Sequence, residues 1–365
     1  MNKLDLDTSA AVIDLDIMEQ NINSMGEFAK SYGVTLRPHV KTHKIPEIAQ
    51  KQIQAGAKGI TCAKLSEAQV MIEKADIHDI FVANVIFGQE KLDKLLELSQ
   101  KSDISVGVDS FEVAEPISQK AVQHGTRIPV ILKIDVGLNR LGVLPGEFAL
   151  DIVRKLSNMK GLIFRGIYTH EGHVYGAENF EEVRQIGLKA GKVMVETAQL
   201  LRDNNIETEV VSVGATPSAK VTCTVPGITE TRPGTYVFND NYQIKLGVAK
   251  ESQCAMSVLA TVISVPAPDR AIIDAGTKSF FSDKSSDFGV YGLVKGKPHL
   301  HLIRAYEEHG VFSVKPDGRK PEVGDKVEII PNHVCPVVNL FDYVTGVRND
   351  IVETRWEVAA RGKLT

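Results

Sequence analysis

The chain alternates. From Val34 onward a short apolar or β-branched run is followed by a longer segment with helical spacing, and the pair recurs. The runs fall at 34–39, 59–62, 79–83, 104–109, 128–134, 162–169, 209–213 and 228–232, eight in all. Between them the spacing predicts helices at 46–54, 66–74, 89–100, 111–124, 146–158 and 180–204. Several open on a capping or acidic residue: Ser66 with Glu67, Asp109 with Ser110, and Glu178. Eight strands, each followed by a helix or long loop, fit a closed (β/α)8 barrel. An open doubly wound sheet shows the same alternation, because alternation does not count closure. One more helix is expected at 15–31, ahead of the first barrel strand, with a short apolar run at 11–14 before it.

After about Asn239 helical spacing stops. Short alternating runs follow at 255–265, 271–274, 299–305, 310–314, 325–330 and 343–348, divided by turn residues such as those at 266–269 and 323–325. This predicts an all-β domain, with which the run at 11–14 can pair. The expected division is a barrel over residues 15–240 and a β domain made of residues 1–14 and 241–365. The length of 365 residues fits two domains, and 43% hydrophobic with 24% charged residues is a globular balance. With 42 basic against 46 acidic residues the net charge is −4, which excludes a generally basic nucleic-acid binder or a polybasic membrane adhesin. No apolar run approaches the roughly 20 residues of a membrane span. Residues 1–10 are polar and acidic, unlike a secretory or transit segment. Cys62, Cys223, Cys254 and Cys335 are too scattered for a disulfide framework. Free thiols and a cytoplasmic location are expected.

In such a barrel the chemistry sits at the C-terminal ends of the strands. The first end reads Arg37-Pro38-His39-Val40-Lys41-Thr42-His43-Lys44. If extended, it points His39, Lys41 and His43 the same way. A lysine aimed into a barrel mouth is suited to a Schiff base with a carbonyl cofactor, though a solvated basic loop would read alike. The seventh and eighth ends, Val213-Gly214-Ala215-Thr216-Pro217-Ser218 and Arg232-Pro233-Gly234-Thr235-Tyr236, are small-residue loops with hydroxyls. Loops at these two places often hold a phosphate through backbone N–H groups. Either alone is an ordinary turn; together with a lysine on the first strand they are more specific. The fifth end carries Arg140, able to hold a phenolate or carboxylate. The sixth carries Tyr168, His170, His173 and Tyr175, and a lone histidine there is more often a satisfied loop residue. In the β domain, His333-Val334-Cys335 offers an imidazole and a thiolate on one face of an extended segment, a pair suited to Zn2+ but too small for a closed structural site.

Taken in order over about residues 11–341, these stretches, with Asp135-Val136-Gly137-Leu138-Asn139-Arg140-Leu141-Gly142 and Tyr168-Thr169-His170, resemble the D-serine dehydratase and D-threonine aldolase family of alanine racemase-like, fold-type III pyridoxal-phosphate enzymes. The resemblance implies a barrel followed by a β domain, a homodimer, and a lyase acting on small D-β-hydroxy amino acids. It implies that Lys41 is the Schiff-base lysine and that Arg140 lies beside the cofactor ring. Tyr168 and Tyr175 match cofactor or substrate contacts, and Thr216, Gly234 and Thr235 match the phosphate cradle. His333 and Cys335 match ligands of Zn2+ in the dehydratase branch; an aspartate in place of Cys335, with Mn2+, is expected in the aldolase branch. That difference favours D-serine dehydratase, giving pyruvate and ammonia, over D-threonine aldolase, giving glycine and acetaldehyde. A racemase, a decarboxylase and a non-catalytic pyridoxal-phosphate carrier are the more distant alternatives; none needs the metal pair. The role of His170 stays open.

Overall fold

The computed structural model describes residues 1–281, 290–316 and 318–365. These form two units. One comprises Met1–Ile22, Thr42–Ile45 and Thr235–Gly362; the other comprises Asn23–Lys41, Pro46–Gly234 and Lys363–Thr365. The chain passes from the second to the first between Lys41 and Thr42. No helix among the described residues is long and apolar enough to cross a membrane.

The larger unit is the barrel. Its eight strands are Thr35–Leu36, Ile60–Cys62, Asp79–Val85, Asp103–Val108, Ile128–Lys133, Leu162–Tyr168, Val210–Val213 and Glu230–Thr231, joined in parallel. The first pairs with the eighth, and a parallel bridge from His39 to Thr61 ties it to the second. That bridge closes the ring and excludes the open doubly wound sheet. Strands such as Ile128–Lys133 and Val210–Val213 are nearly continuous in apolar residues because both their faces are covered. Helices follow the strands as spaced, with two capping corrections. The helix Leu65–Ala75 starts after Lys64 without a side-chain cap, so Ser66 lies inside it. Asn179, not Glu178, caps Phe180–Asp203, its side chain accepting the Glu182 N–H at 3.1 Å. Ser110 caps Phe111–Gln123 as expected.

Inside the ring, Phe81, Ile131 and Tyr168 pack as one cluster. Phe81 and Tyr168 meet edge to face at 4.9 Å between centroids, worth about 0.5–1.5 kcal/mol beyond their burial. Gly107 makes this possible, since a Cβ there would strike the Tyr168 hydroxyl. A polar chain also threads the barrel. Arg37 donates to Glu230 at 2.8 Å and to Asp79 at 2.5 Å, and Glu230 accepts the Ser212 hydroxyl at 2.6 Å. Ser212 in turn accepts from Arg232. Losing one partner of such a buried chain costs about 3–5 kcal/mol. A polar cavity of about 580 Å³ opens where the strands begin, lined by Arg37, Asp79, Asp103, Arg165 and Glu230 among others. In this architecture that end serves stability rather than chemistry.

The smaller unit is built on a sheet that has nine strands among the described residues. Ala10–Asp14 returns to it as expected, pairing antiparallel with Met256–Ala267 and parallel with Tyr343–Arg348. Two strands lacked a clear signal: Gly292–Val294, only three residues long, and the edge strand Ile351–Glu357. Helical structure is not absent here either. Asn241–Lys245, Thr277–Phe280 and Val334–Val338 are helices of a single turn, too short for their spacing to register.

Candidate active site

The first barrel strand stops at Leu36, so the Lys41 segment is not extended. Lys41 lies in a 3-10 turn, Val40–Thr42. The expected common face of His39, Lys41 and His43 is therefore wrong. Each histidine turns back on its own backbone. His39 Nδ1 accepts the Lys41 N–H at 3.4 Å, and His43 Nδ1 accepts the Ile45 N–H at 3.0 Å. Two ring nitrogens shape the loop, and the lysine is carried on the turn they make.

Around Lys41 in the barrel unit stand three more cations. Lys133, the last residue of the fifth strand, is only 4% exposed. Burial, then the charges of Arg140 and Arg232, push its amine down to about 8, and Lys41 adds to this. Its ammonium lies 5.6 Å from the centroid of the Tyr168 ring. Arg232 is buried, donates to Thr169 O at 2.5 Å, and stacks on Tyr168 at 5.2 Å. Neither Lys133 nor Arg232 was singled out from sequence. The signal for Arg232 was its place ahead of Pro-Gly at the last strand end; Lys133 reads as an ordinary strand terminus.

Arg140 sits on an exposed loop shaped by Asp135, whose Oδ1 accepts the N–H groups of Gly137, Leu138 and Asn139 at 2.9, 2.9 and 3.2 Å. Tyr168 is 1% exposed, and its hydroxyl donates to Ala83 O at 3.0 Å. It serves as the floor on which Arg232 and Lys133 rest. Burial raises its pKa well above the usual phenol value. Tyr175 lies half-buried in the 3-10 turn Gly172–Gly176.

His170 donates Nδ1–H to Gly214 O at 2.7 Å, with the tautomer set by that carbonyl. Burial and then the Lys41 charge push its pKa down to about 3, so the ring is neutral at working pH. Glu171, fully buried, accepts the Gly214 N–H at 3.2 Å and the Ser218 hydroxyl at 2.7 Å. It fixes the loop ahead of Thr216, the first residue of the helix Thr216–Thr222. Gly214 is required there: a Cβ would meet the Arg232 backbone at 2.8 Å. Gly234 closes the barrel unit, buried in the companion loop.

In the β unit, His333 is the N-cap of the helix Val334–Val338 and Cys335 lies in its first turn. The expected extended segment is thus corrected to a cap and a helical turn. Cys335 donates its S–H to Thr42 Oγ1 at 3.3 Å and lies 3.6 Å from Thr235 Oγ1. The Thr235 hydroxyl, assigned from sequence to a phosphate cradle, is turned to the thiol. Behind His333 sits Asp240, fully buried; burial, opposed by the His333 charge, pushes its carboxyl up to about 6. Among the described residues no group of three or more His, Cys, Asp or Glu is arranged to hold a metal ion. A cation here would take two protein ligands and keep open positions.

A barrel end so rich in cations, with a lysine on a tight turn and a neutral imidazole beside it, is suited to an anionic ligand, and the alanine racemase-like class suggested by the sequence has such an end. The comparisons agree. Residues 13–241 match the alanine racemase N-terminal domain family, and residues 255–347 match a serine dehydratase domain. The chain is 36% identical to D-threonine aldolase from Arthrobacter sp., covering 98% of this chain and 93% of that one. It is 34% identical to D-threo-3-hydroxyaspartate dehydratase from Delftia sp., covering 97% of each. The structure of that dehydratase superposes with a TM-score of 0.90 over 98% of each chain. D-serine dehydratase from Dictyostelium discoideum is 28% identical over 94% of both chains. The Delftia enzyme also has solved variants in which a histidine, or the cysteine two positions after it, is replaced by alanine, the cysteine variant in a metal-free form.

The chain belongs to the D-serine dehydratase and D-threonine aldolase family. It is a lyase of D-β-hydroxy amino acids.

Proposed function

We propose that the chain is a pyridoxal-phosphate- and metal-dependent dehydratase, with D-serine, converted to pyruvate and ammonia, as its substrate. The observation that carries this is Cys335 two residues after His333, the spacing of the histidine and cysteine substituted in the Delftia dehydratase. An imidazole with a thiolate suits Zn2+ better than Mn2+, which prefers oxygen ligands. The second reading, D-threonine aldolase, is favoured by the 36% identity to that relative.

The donor set fits the cofactor. Lys41, Lys133, Arg140 and Arg232 repel one another across the barrel end, a surplus of positive charge that an anionic ligand relieves. Lys41 would anchor the cofactor, Arg140 would sit beside its ring, Tyr175 would line it with Tyr168 as the floor beneath, and Thr216 together with the backbone N–H groups of Gly234 and Thr235 would hold its phosphate. Pyridoxal phosphate supplies an electron sink for the pair left at the α-carbon. Lys41 would present its amine on one face of the substrate only and would take the α-proton there. That single-sided base selects one enantiomer. His170 stays neutral and adds no charge beside Lys41. Glu171 keeps Gly214 and Ser218 in place so that the neighbouring amides remain directed at one point. His333 and Cys335 would hold the ion, which supplies Lewis acidity to a β-hydroxyl that must leave.

The test compares D-serine with D-threonine, each with and without a chelator. Chelator-sensitive release of pyruvate from D-serine is expected. Acetaldehyde from D-threonine with no pyruvate from D-serine would establish the aldolase instead. Chelator-insensitive racemisation of alanine would defeat both.

A further inference from the structure

Three successive residues, Asp240, Asn241 and Tyr242, grip three others, Asn332, His333 and Val334, and both triplets belong to the β unit. The grip is made of separate contacts. Asp240 Oδ2 accepts the Val334 N–H at 3.1 Å, on the residue between the two proposed ligands. Asn241 Nδ2 donates to Asn332 Oδ1 at 2.8 Å, and the Tyr242 N–H donates to Asn332 O at 3.2 Å. The Tyr242 ring stands edge-on to the His333 ring, 6.3 Å between centroids. Asn332 is further held by donating to Val290 O at 2.8 Å.

Asp240 is the unusual member. It caps the helix Asn241–Lys245, its Oδ1 accepting the Gln243 N–H at 3.1 Å. A serine or asparagine caps a helix about as well. A carboxylate with 0% exposure carries a desolvation cost of several kcal/mol that a neutral cap avoids. Its charge acts on His333. A carboxylate behind a metal-ligating imidazole orients the ring and makes it a stronger donor. A divalent ion at the pair would in turn offset the buried negative charge.

We propose that Asp240, assisted by Asn241 and Tyr242, is the positioning residue that preforms the His333–Cys335 ion site and sets its affinity. This rests on the reading of His333 and Cys335 as ion ligands. It predicts an effect on metal retention that a purely structural cap would not have.

The experiment is a zinc competition titration of the purified enzyme against a chromophoric chelator, for wild type, Asp240→Asn and Asn241→Ser. Asp240→Asn keeps the size and one acceptor for the helix cap but removes the charge and the second acceptor, which serves the Val334 N–H. Its zinc Kd is expected to rise roughly 10–100-fold, with the cofactor's visible absorbance unchanged. Asn241→Ser, which loses only the Asn332 contact, is expected to weaken zinc less. Zinc affinity within twofold of wild type in Asp240→Asn overturns the inference. If Asp240→Asn does not fold, unaltered zinc affinity in Asn241→Ser overturns it. Absence of zinc binding by wild type overturns the ion-site reading itself, a result distinct from either.

Discussion

The barrel end and the helix start in the β unit solve opposite electrostatic problems. The barrel gathers Lys41, Lys133, Arg140 and Arg232, so that burial first, and then these like charges, push the Lys133 amine down to about 8 and hold His170 neutral. The β unit does the reverse, placing a buried carboxylate, Asp240, within reach of the His333 charge and on the N–H of the residue between His333 and Cys335. One region is built to receive an anion and the other a cation. Each accepts destabilisation in isolation that its ligand relieves, as functional sites do.

The sharpest way to break that comparison is a double dissociation. Lys41→Ala should lower D-serine turnover by roughly 10²–10⁴-fold or more, abolish the cofactor's visible absorbance, and leave zinc content unchanged; retained absorbance would remove Lys41 from its assigned role. Cys335→Ala should do the converse, keeping the absorbance while zinc is lost and turnover falls by on the order of 10²-fold. Metal analysis and a visible spectrum on the same two samples decide it.

A smaller effect sharpens the charge argument. The Lys133 pKa is lowered from 10.5 to about 8 by burial and by neighbouring Arg140 and Arg232. Between those values the unfolded chain holds the proton and the folded one does not, so stability rises with pH across the window. Below about 8 the ammonium is charged in both states and its burial penalty is fully expressed. Lys133→Met in cofactor-stripped protein should therefore be more stable than wild type by about 3 kcal/mol at pH 7, a gap that closes toward pH 10.5. Urea unfolding at the two pH values reads this; a constant gap would show that neither burial nor the neighbouring cations lower the Lys133 pKa. The smallest effect is a control. Glu97 pairs with Lys101 at 2.9 Å on an exposed helix face, and Glu97→Gln should move neither the urea midpoint nor zinc affinity.

Much of the fold was legible because it rests on local periodicity. Eight short strand runs alternating with helical spacing specify a parallel α/β sheet covered by helices, and closure into a barrel was decided by the His39–Thr61 bridge. The return of Ala10–Asp14 to the late β sheet was readable from its isolation ahead of a helix. The local geometry of the site was less so. His39 and His43 look like residues of a strand until their ring nitrogens are seen accepting backbone N–H groups and turning the chain. His333 and Cys335 look extended because one helical turn is too short to leave a period. Tyr168 looks like a cofactor contact, yet its hydroxyl is already engaged by Ala83 O, on a strand about eighty residues earlier.

The chain's own order of residues was enough to predict eight strands alternating with helices, a β unit after them, a lysine at the first strand end as the candidate Schiff-base residue and an imidazole–thiol pair near the C-terminal end. Those follow from side-chain spacing and from which atoms can bind an aldehyde or a soft ion. Tertiary structure alone decided that Lys133 and Arg232 join Lys41, that Glu171 braces the Gly214 loop, and that Asp240 stands behind His333. Charge acts through space over a few ångströms, and residues about a hundred positions apart become electrostatic neighbours only once the strands have closed and the sheet has formed.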